Sequence, residues 1–180
     1  EVLEKYHDRV VPVGRDAKNV INRYTSVSTR VLQQICKWPQ EGLDVYRGRY
    51  EPKAAELVNK AGPDDLFSLH KAFDLYFVTE SGKQAGLRLI DAHLEKGEYA
   101  AAAWIGDQLL DMHPNLLAER PAVLFRTALA YHLAGNDDKA NDRAAELSKK
   151  FGKEMGVVRG KDVVLAEALT LELKHAASDI

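Results

Sequence analysis

Six histidines, one cysteine and a few pairs of acids are the residues of this chain equipped for chemistry, and their spacing argues against it. His7, His70, His93, His113, His132 and His175 are placed so that no two stand three to five residues apart. That separation is what brings imidazoles onto one helix face around a metal. Asp137, Asp138 and Asp142 lack the glycine and terminal glutamate of a calcium loop, and read as turn and helix start. Asp107 and Asp111 stand one turn apart, but like charges at that spacing commonly occupy a solvated face. No acid and base are set to flank a substrate. Cys36 falls on an apolar helical face beside Trp38, where a buried, inert thiol is expected. Gly-x-Ser-x-Gly does not occur. Gly82 and Gly86, with Lys83 between them, follow no strand and lead into no Gly-Lys-Ser/Thr, so they form no phosphate loop. Trp104 is expected to pack between helices. The reading is a chain that is not an enzyme and uses no cofactor and no metal.

Bulk properties narrow the partners. The chain has 180 residues, 46% of them hydrophobic and 29% charged, which suits a folded domain with a real core. Lys plus Arg number 25 against 27 Asp plus Glu, a formal net charge of -2. Nucleic-acid binding needs a basic excess to neutralise phosphates, and none exists. No apolar run approaches the roughly 18 residues that span a bilayer, so direct membrane insertion is not expected. The first nine residues are charged and include no apolar core of a signal peptide. The chain opens on Glu1 rather than Met, which leaves a trimmed or mature product as an expectation. One cysteine is compatible with a cytoplasmic or a periplasmic, exported home, and oligomeric state is not legible.

The elements that must position these residues read as helices. Residues 9–14, Arg-Val-Val-Pro-Val-Gly, suggest an extended arm over 1–16. Val20, Ile21, Tyr24, Val27, Val31, Leu32 and Ile35 recur at spacings of three and four, predicting a helix over about 17–37 with a break near 25–28. A helix from Pro39 to about residue 50 is ended or bent by Pro52 and continues over 54–61. Another starts at Pro63-Asp64-Asp65 and is broken at Glu80-Ser81-Gly82. Two helix pairs follow, 83–96 with 99–112 and 121–133 with 138–151. A glycine-rich stretch over 152–160 leads to a last helix over 162–176. No strand pair is predicted, so parallel-sheet architectures fall away. The segments are thus an arm (1–16), an N-terminal helical part (17–82), two helix pairs (83–154) and a C-terminal capping helix (155–180).

The two pairs repeat each other. Gly97 and Gly135 are 38 residues apart, and a small residue, Ala102 or Ala140, follows each by five. A tight helical hairpin needs a residue tolerant of positive φ at its turn, and a small side chain where the second helix presses on the first. With these features residues 83–116 (Leu89, Gly97, Glu98-Tyr99, Ala102, Pro114) and 121–154 (Leu124, Ala128, Tyr131, Gly135, Ala140, Leu147) resemble the tetratricopeptide repeat. The sequence departs from that family at Gly86, where a large aromatic is usual, at His93, where Tyr is usual, and at Gly152, where Pro is usual. Four extra residues lie between the units. A further resemblance joins residues 9–14, Leu43-Asp-Val-Tyr46-Arg-Gly-Arg49 and Glu95-Lys-Gly-Glu-Tyr99 to helical segments of large secreted planctomycete proteins that also carry a quinoprotein-like β-propeller. It implies a helical module of something longer and exported; no propeller motif is present in this sequence.

The repeat resemblance implies an all-α fold of antiparallel helix hairpins stacked as a short α-solenoid, with a groove lined by the first helix of each pair. Inward positions would be Gln84, Leu87, Asp91, Leu94 and Glu95, then Ala122, Phe125, Leu129, His132 and Leu133. Leu87, Asp91, Phe125 and Leu129 stand where the family's clamp for a terminal carboxylate uses Lys and Asn, so that clamp is absent. An apolar groove with an acidic edge suits a protein or peptide partner, as an amphipathic helix or a hydrophobic peptide with a few basic residues. The partner-binding candidates are Leu87, Asp91, Leu94, Phe125, Leu129, His132 and Leu133. Two alternatives stand beside this scaffold role. Phe125, Leu129 and Leu133 could simply pack on the next helix, and the apolar C-terminal helix (Val163 to Leu173) could fill the groove, leaving a structural spacer.

Overall fold

A computed structural model describes residues 5–6, 9–15, 21–62 and 64–175; His7, the His175 side chain and residues 17–20 of the expected first helix lie outside the described residues. The chain is mostly helical. It forms two units, residues 1–85 and 86–180, and the division falls inside one helix.

In the first unit β1 (Val10–Arg15) pairs antiparallel with β2 (Ile21–Ser26), Val10 opposite Ser26 and Pro12 opposite Tyr24, with register irregularities on either side of Gly14. This corrects the helix expected from residue 17. Ile21, Tyr24 and Thr25 are β-branched or aromatic residues that sit well on a pleated surface, and the helix begins only at α1 (Val27–Ile35). Ser26 sets that start, its hydroxyl accepting from Thr29 N at 3.0 Å. Helix α2 (Gln40–Lys60) runs unbroken through Pro52, where two shorter pieces were an alternative. Helix α3 (Leu66–Tyr76) is capped by Asp65, which accepts from Ser68 N at 3.0 Å. Helices α2 and α3 pack together, burying Leu43, Ala54, Leu69 and Phe73.

Helix α4 (Glu80–Glu95) starts where a break was expected. Thr79 is fully buried, and its hydroxyl accepts from Gly82 N at 2.9 Å. Glu51 of α2 completes the start, accepting from Glu80 N at 2.8 Å, Ser81 N at 3.0 Å and the Ser81 hydroxyl at 2.5 Å. Arg47 donates to Val78 O at 2.8 Å and Tyr46 to Leu75 O at 3.1 Å. Side chains of α2 therefore satisfy the backbone groups that the α3–α4 junction leaves without helical partners.

In the second unit α4 is followed by α5 (Tyr99–Met112), α6 (Arg120–Leu133) and α7 (Asp137–Phe151). Helix α6 packs against α5 and α7. Both turn glycines take φ +75°, and each turn closes with the same two bonds: Gly97 N to Leu94 O with Glu98 N to His93 O, and Gly135 N to His132 O with Asn136 N to Tyr131 O. This is the Schellman closure. The residues that carried the repeat are core: Leu89, Ala102, Leu124, Ala128 and Leu147 are 0% exposed and Ala140 is 1%.

Beyond α7 the expected glycine-rich loop is a second hairpin, β3 (Met155–Val158) with β4 (Lys161–Val164), Val158 opposite Lys161 across the two-residue turn Arg159-Gly160. Two residues of positive φ at that turn match the right-handed twist of the strands. The last helix, α8 (Leu165–His175), packs on both α6 and α7, burying Leu165, Ala166 and Leu169. Two antiparallel hairpins thus correct the all-helical expectation.

Candidate partner-binding face

Helices α4 and α6 are joined side by side by one ion pair. Arg126 grips Asp91 with Nε at 2.6 Å from Oδ1 and Nη2 at 3.5 Å from Oδ2. Both side chains remain partly exposed, 35% and 48%, so the pair orients the helices more than it stabilises them. Leu87 and Leu94 lie one turn either side of Asp91, and Leu129 lies one turn beyond Arg126; all three are half-buried. Leu133, a further turn along, is 42% exposed. His132 is half-buried, its Nδ1 2.7 Å from Asp137 Oδ1, and Nε2 is buried without a hydrogen-bond partner.

Phe125 does not belong to this face. It is 6% exposed, part of the core of the second unit, and the residue presented in its place is Arg126. Helical spacing placed Phe125 on the apolar side correctly, but the side facing the neighbouring helix and the side facing solvent differ there by one residue.

Across α6 from this face lies a polar network that the sequence did not announce. Arg143 of α7 reaches Asp107 of α5 at 2.7 Å and Asp111 at 3.0 Å. Tyr131 donates to Asp107, and Lys139 Nζ stands 3.1 Å from the Tyr131 hydroxyl and 4.9 Å from its ring centre. Arg120 binds Glu146 at 2.7 Å and also donates to Leu110 O, at 2.8 Å. Asp107, Asp111 and Asp142 line a surface depression of about 410 Å³ with Tyr131, Lys139 and Arg143. Burial first, and then the bond to Asp107, raises the Tyr131 phenol above its ordinary value, so it is no ready base. The pair Asp107 and Asp111 shares one guanidinium, a structural arrangement that only the fold could bring about, since Arg143 lies 36 and 32 residues away.

Other residues singled out by type fall as follows. Cys36 is half-buried at the end of α1, and burial pushes its thiol up to about 11. Trp104 is 53% exposed and does not pack between helices, as had been expected: on α5 it faces outward with Ala100. Lys83 is buried and pairs with Glu80 at 3.0 Å. Among the described residues no three of His, Cys, Asp and Glu come together at metal-binding range, and no helix is long and apolar enough to cross a membrane. No known family model, characterised protein or solved structure matches the chain.

Proposed function

We propose that the chain is a non-catalytic protein–protein interaction module of tetratricopeptide type, which takes a peptide or helix along the face formed by α4 and α6. The observation that carries this reading is the Asp91–Arg126 pair, which holds the two first helices side by side with Leu87, Leu94, Leu129 and Leu133 incompletely covered. The repeat reading is supported by two turns of one pattern 38 residues apart and by the burial of the small residues that follow them. Helix α8 packs on both members of the second pair, the place where the first helix of a third pair would stack. It is in keeping with this that Leu133 keeps its exposure.

A second reading, a helical spacer within a larger and exported protein, draws support from the polar groups of the same face. Asp91 is paired with Arg126 and His132 with Asp137, so a partner finds few polar groups unengaged there. The two readings separate in an affinity-capture experiment with the chain and with Leu129→Glu, Leu133→Glu variants that keep the wild-type circular dichroism. Capture lost in the variants supports binding through the face. Capture unchanged leaves the spacer.

A further inference from the structure

Between the two helix-hairpin turns lies a notch of about 520 Å³, lined by Glu98, Tyr99, Ala100, Ala101 and Ala134. It is continuous with the α4–α6 face through Leu133, the exposed leucine that immediately precedes Ala134. Its floor is apolar: three alanines and a half-buried tyrosine ring. Its rim is acidic. The two segments that form it, residues 95–101 and 134–138, carry Glu95, Glu98, Asp137 and Asp138 against a single base, Lys96. Glu98 and Asp137 each spend one oxygen on a histidine, Nδ1 of His93 at 2.5 Å and of His132 at 2.7 Å, and Glu95 and Asp138 are exposed. The next base, Lys139, is turned towards the Tyr131 hydroxyl and ring.

An apolar floor under a carboxylate rim matches one kind of side chain. Lysine and arginine lay a methylene stem on apolar surface while holding the cation in water, and a tyrosine ring adds attraction for the cation. A wholly apolar side chain would leave the rim without compensation, and an anion would be repelled by it. We infer that the notch seats a lysine or arginine of the partner, at the end of a bound amphipathic helix whose apolar stripe lies on Leu87, Leu94 and Leu129. This rests on the binding reading above and adds to it the direction and charge of the occupant.

The test uses the full chain and two labelled probes, a two-heptad amphipathic leucine–lysine peptide and its leucine–glutamate counterpart, followed by fluorescence anisotropy at low and high ionic strength. The lysine peptide is expected to bind about tenfold more tightly at low salt, an advantage that shrinks as salt screens the rim. Glu95→Gln with Asp138→Asn should cut its affinity about three- to tenfold. Ala134→Phe, which fills the notch from an exposed position, should cut it as well while leaving circular dichroism unchanged. Equal affinity for the two peptides, lost in both on Leu129→Glu, would overturn the basic seat and leave the groove standing. A lysine preference untouched by the rim and notch variants would overturn it too, since other acids would then be attracting the peptide. Binding of neither peptide would remove both the seat and the groove.

Discussion

A β-carbon built on Gly106 of α5 would lie 2.1 Å from the Thr127 hydroxyl oxygen of α6. Thr127 is fully buried and gives its hydroxyl hydrogen to Val123 O at 2.7 Å, so it cannot swing away without losing that bond. The two backbones approach at this point as closely as side chains allow. Gly106→Ala gains helix propensity of about 1 kcal/mol but overpacks the crossing by about 1–3 kcal/mol. A net loss is expected in urea unfolding, and a smaller one when the same change is made on a Thr127→Ala background. Additive losses would show that the two positions are independent.

The two turn glycines make a matched pair of measurements. Gly97→Ala and Gly135→Ala force an L side chain into φ +75° and should each cost about 1–2 kcal/mol. Gly48 provides the contrast: it lies exposed within α2 with nothing near its missing side chain, and Gly48→Ala should stabilise by about 0.5–1 kcal/mol. Thermal midpoints moving in opposite directions would confirm that the turns, not the glycine content, set the requirement.

Glu146 gives the stability a pH dependence. Burial opposes its ionisation, but hydrogen bonds from Arg120 at 2.7 Å and Lys150 at 3.1 Å outweigh burial and hold the carboxyl below its ordinary 4.5. A carboxyl depressed on folding adds stability that is complete above the unfolded value and disappears as pH falls through the folded one. Glu146→Gln should therefore cost about 1–3 kcal/mol near neutrality and almost nothing once the pH is well below 4.5. Urea midpoints across that range decide it; a difference independent of pH would mean that charge is not the cause.

Glu51 caps a helix to which it does not belong. Glu51→Ala removes three hydrogen bonds from the start of α4 and should cost about 1–2 kcal/mol. Amide exchange at Glu80 and Ser81 should accelerate ahead of the rest of the chain, and global exchange without that local effect would count against a capping role.

Local chemistry made much of this fold readable. Helix α5 begins at Tyr99 and ends at Met112 because Gly97 closes the turn before it and His113-Pro114 stops it, and those signals are complete within the sequence. The β3–β4 hairpin also had a signal: Val157-Val158 and Val163-Val164 flank a short turn that ends in Gly160, and the surrounding glycines obscured it. Helix α4 was misread at its start because Glu80-Ser81-Gly82 looks like a turn until Glu51, 29 residues earlier, is brought up to satisfy it. The candidate face was legible in its periodicity, while its central pair was half seen: Asp91 was named and Arg126 was not, since no local rule links residues 35 apart. Arg143 between Asp107 and Asp111 was invisible for the same reason.

The terminal hairpin and α8 touch at two stations. Gly156 faces Leu165, where an added β-carbon would meet Cδ2 at 2.6 Å, and Arg159 reaches Glu172 at 3.0 Å. Three residues of strand cover about 10 Å, and seven residues of helix rise about 10.5 Å, so the two stations are spaced commensurately on both elements. Strand and helix here act as two rulers of different pitch laid edge to edge, agreeing at both ends. Adding or removing one residue between the stations on the strand shifts its mark by about 3.3 Å against only about 1.5 Å on the helix. Length changes in this stretch are consequently tolerated less well on the hairpin than on the helix.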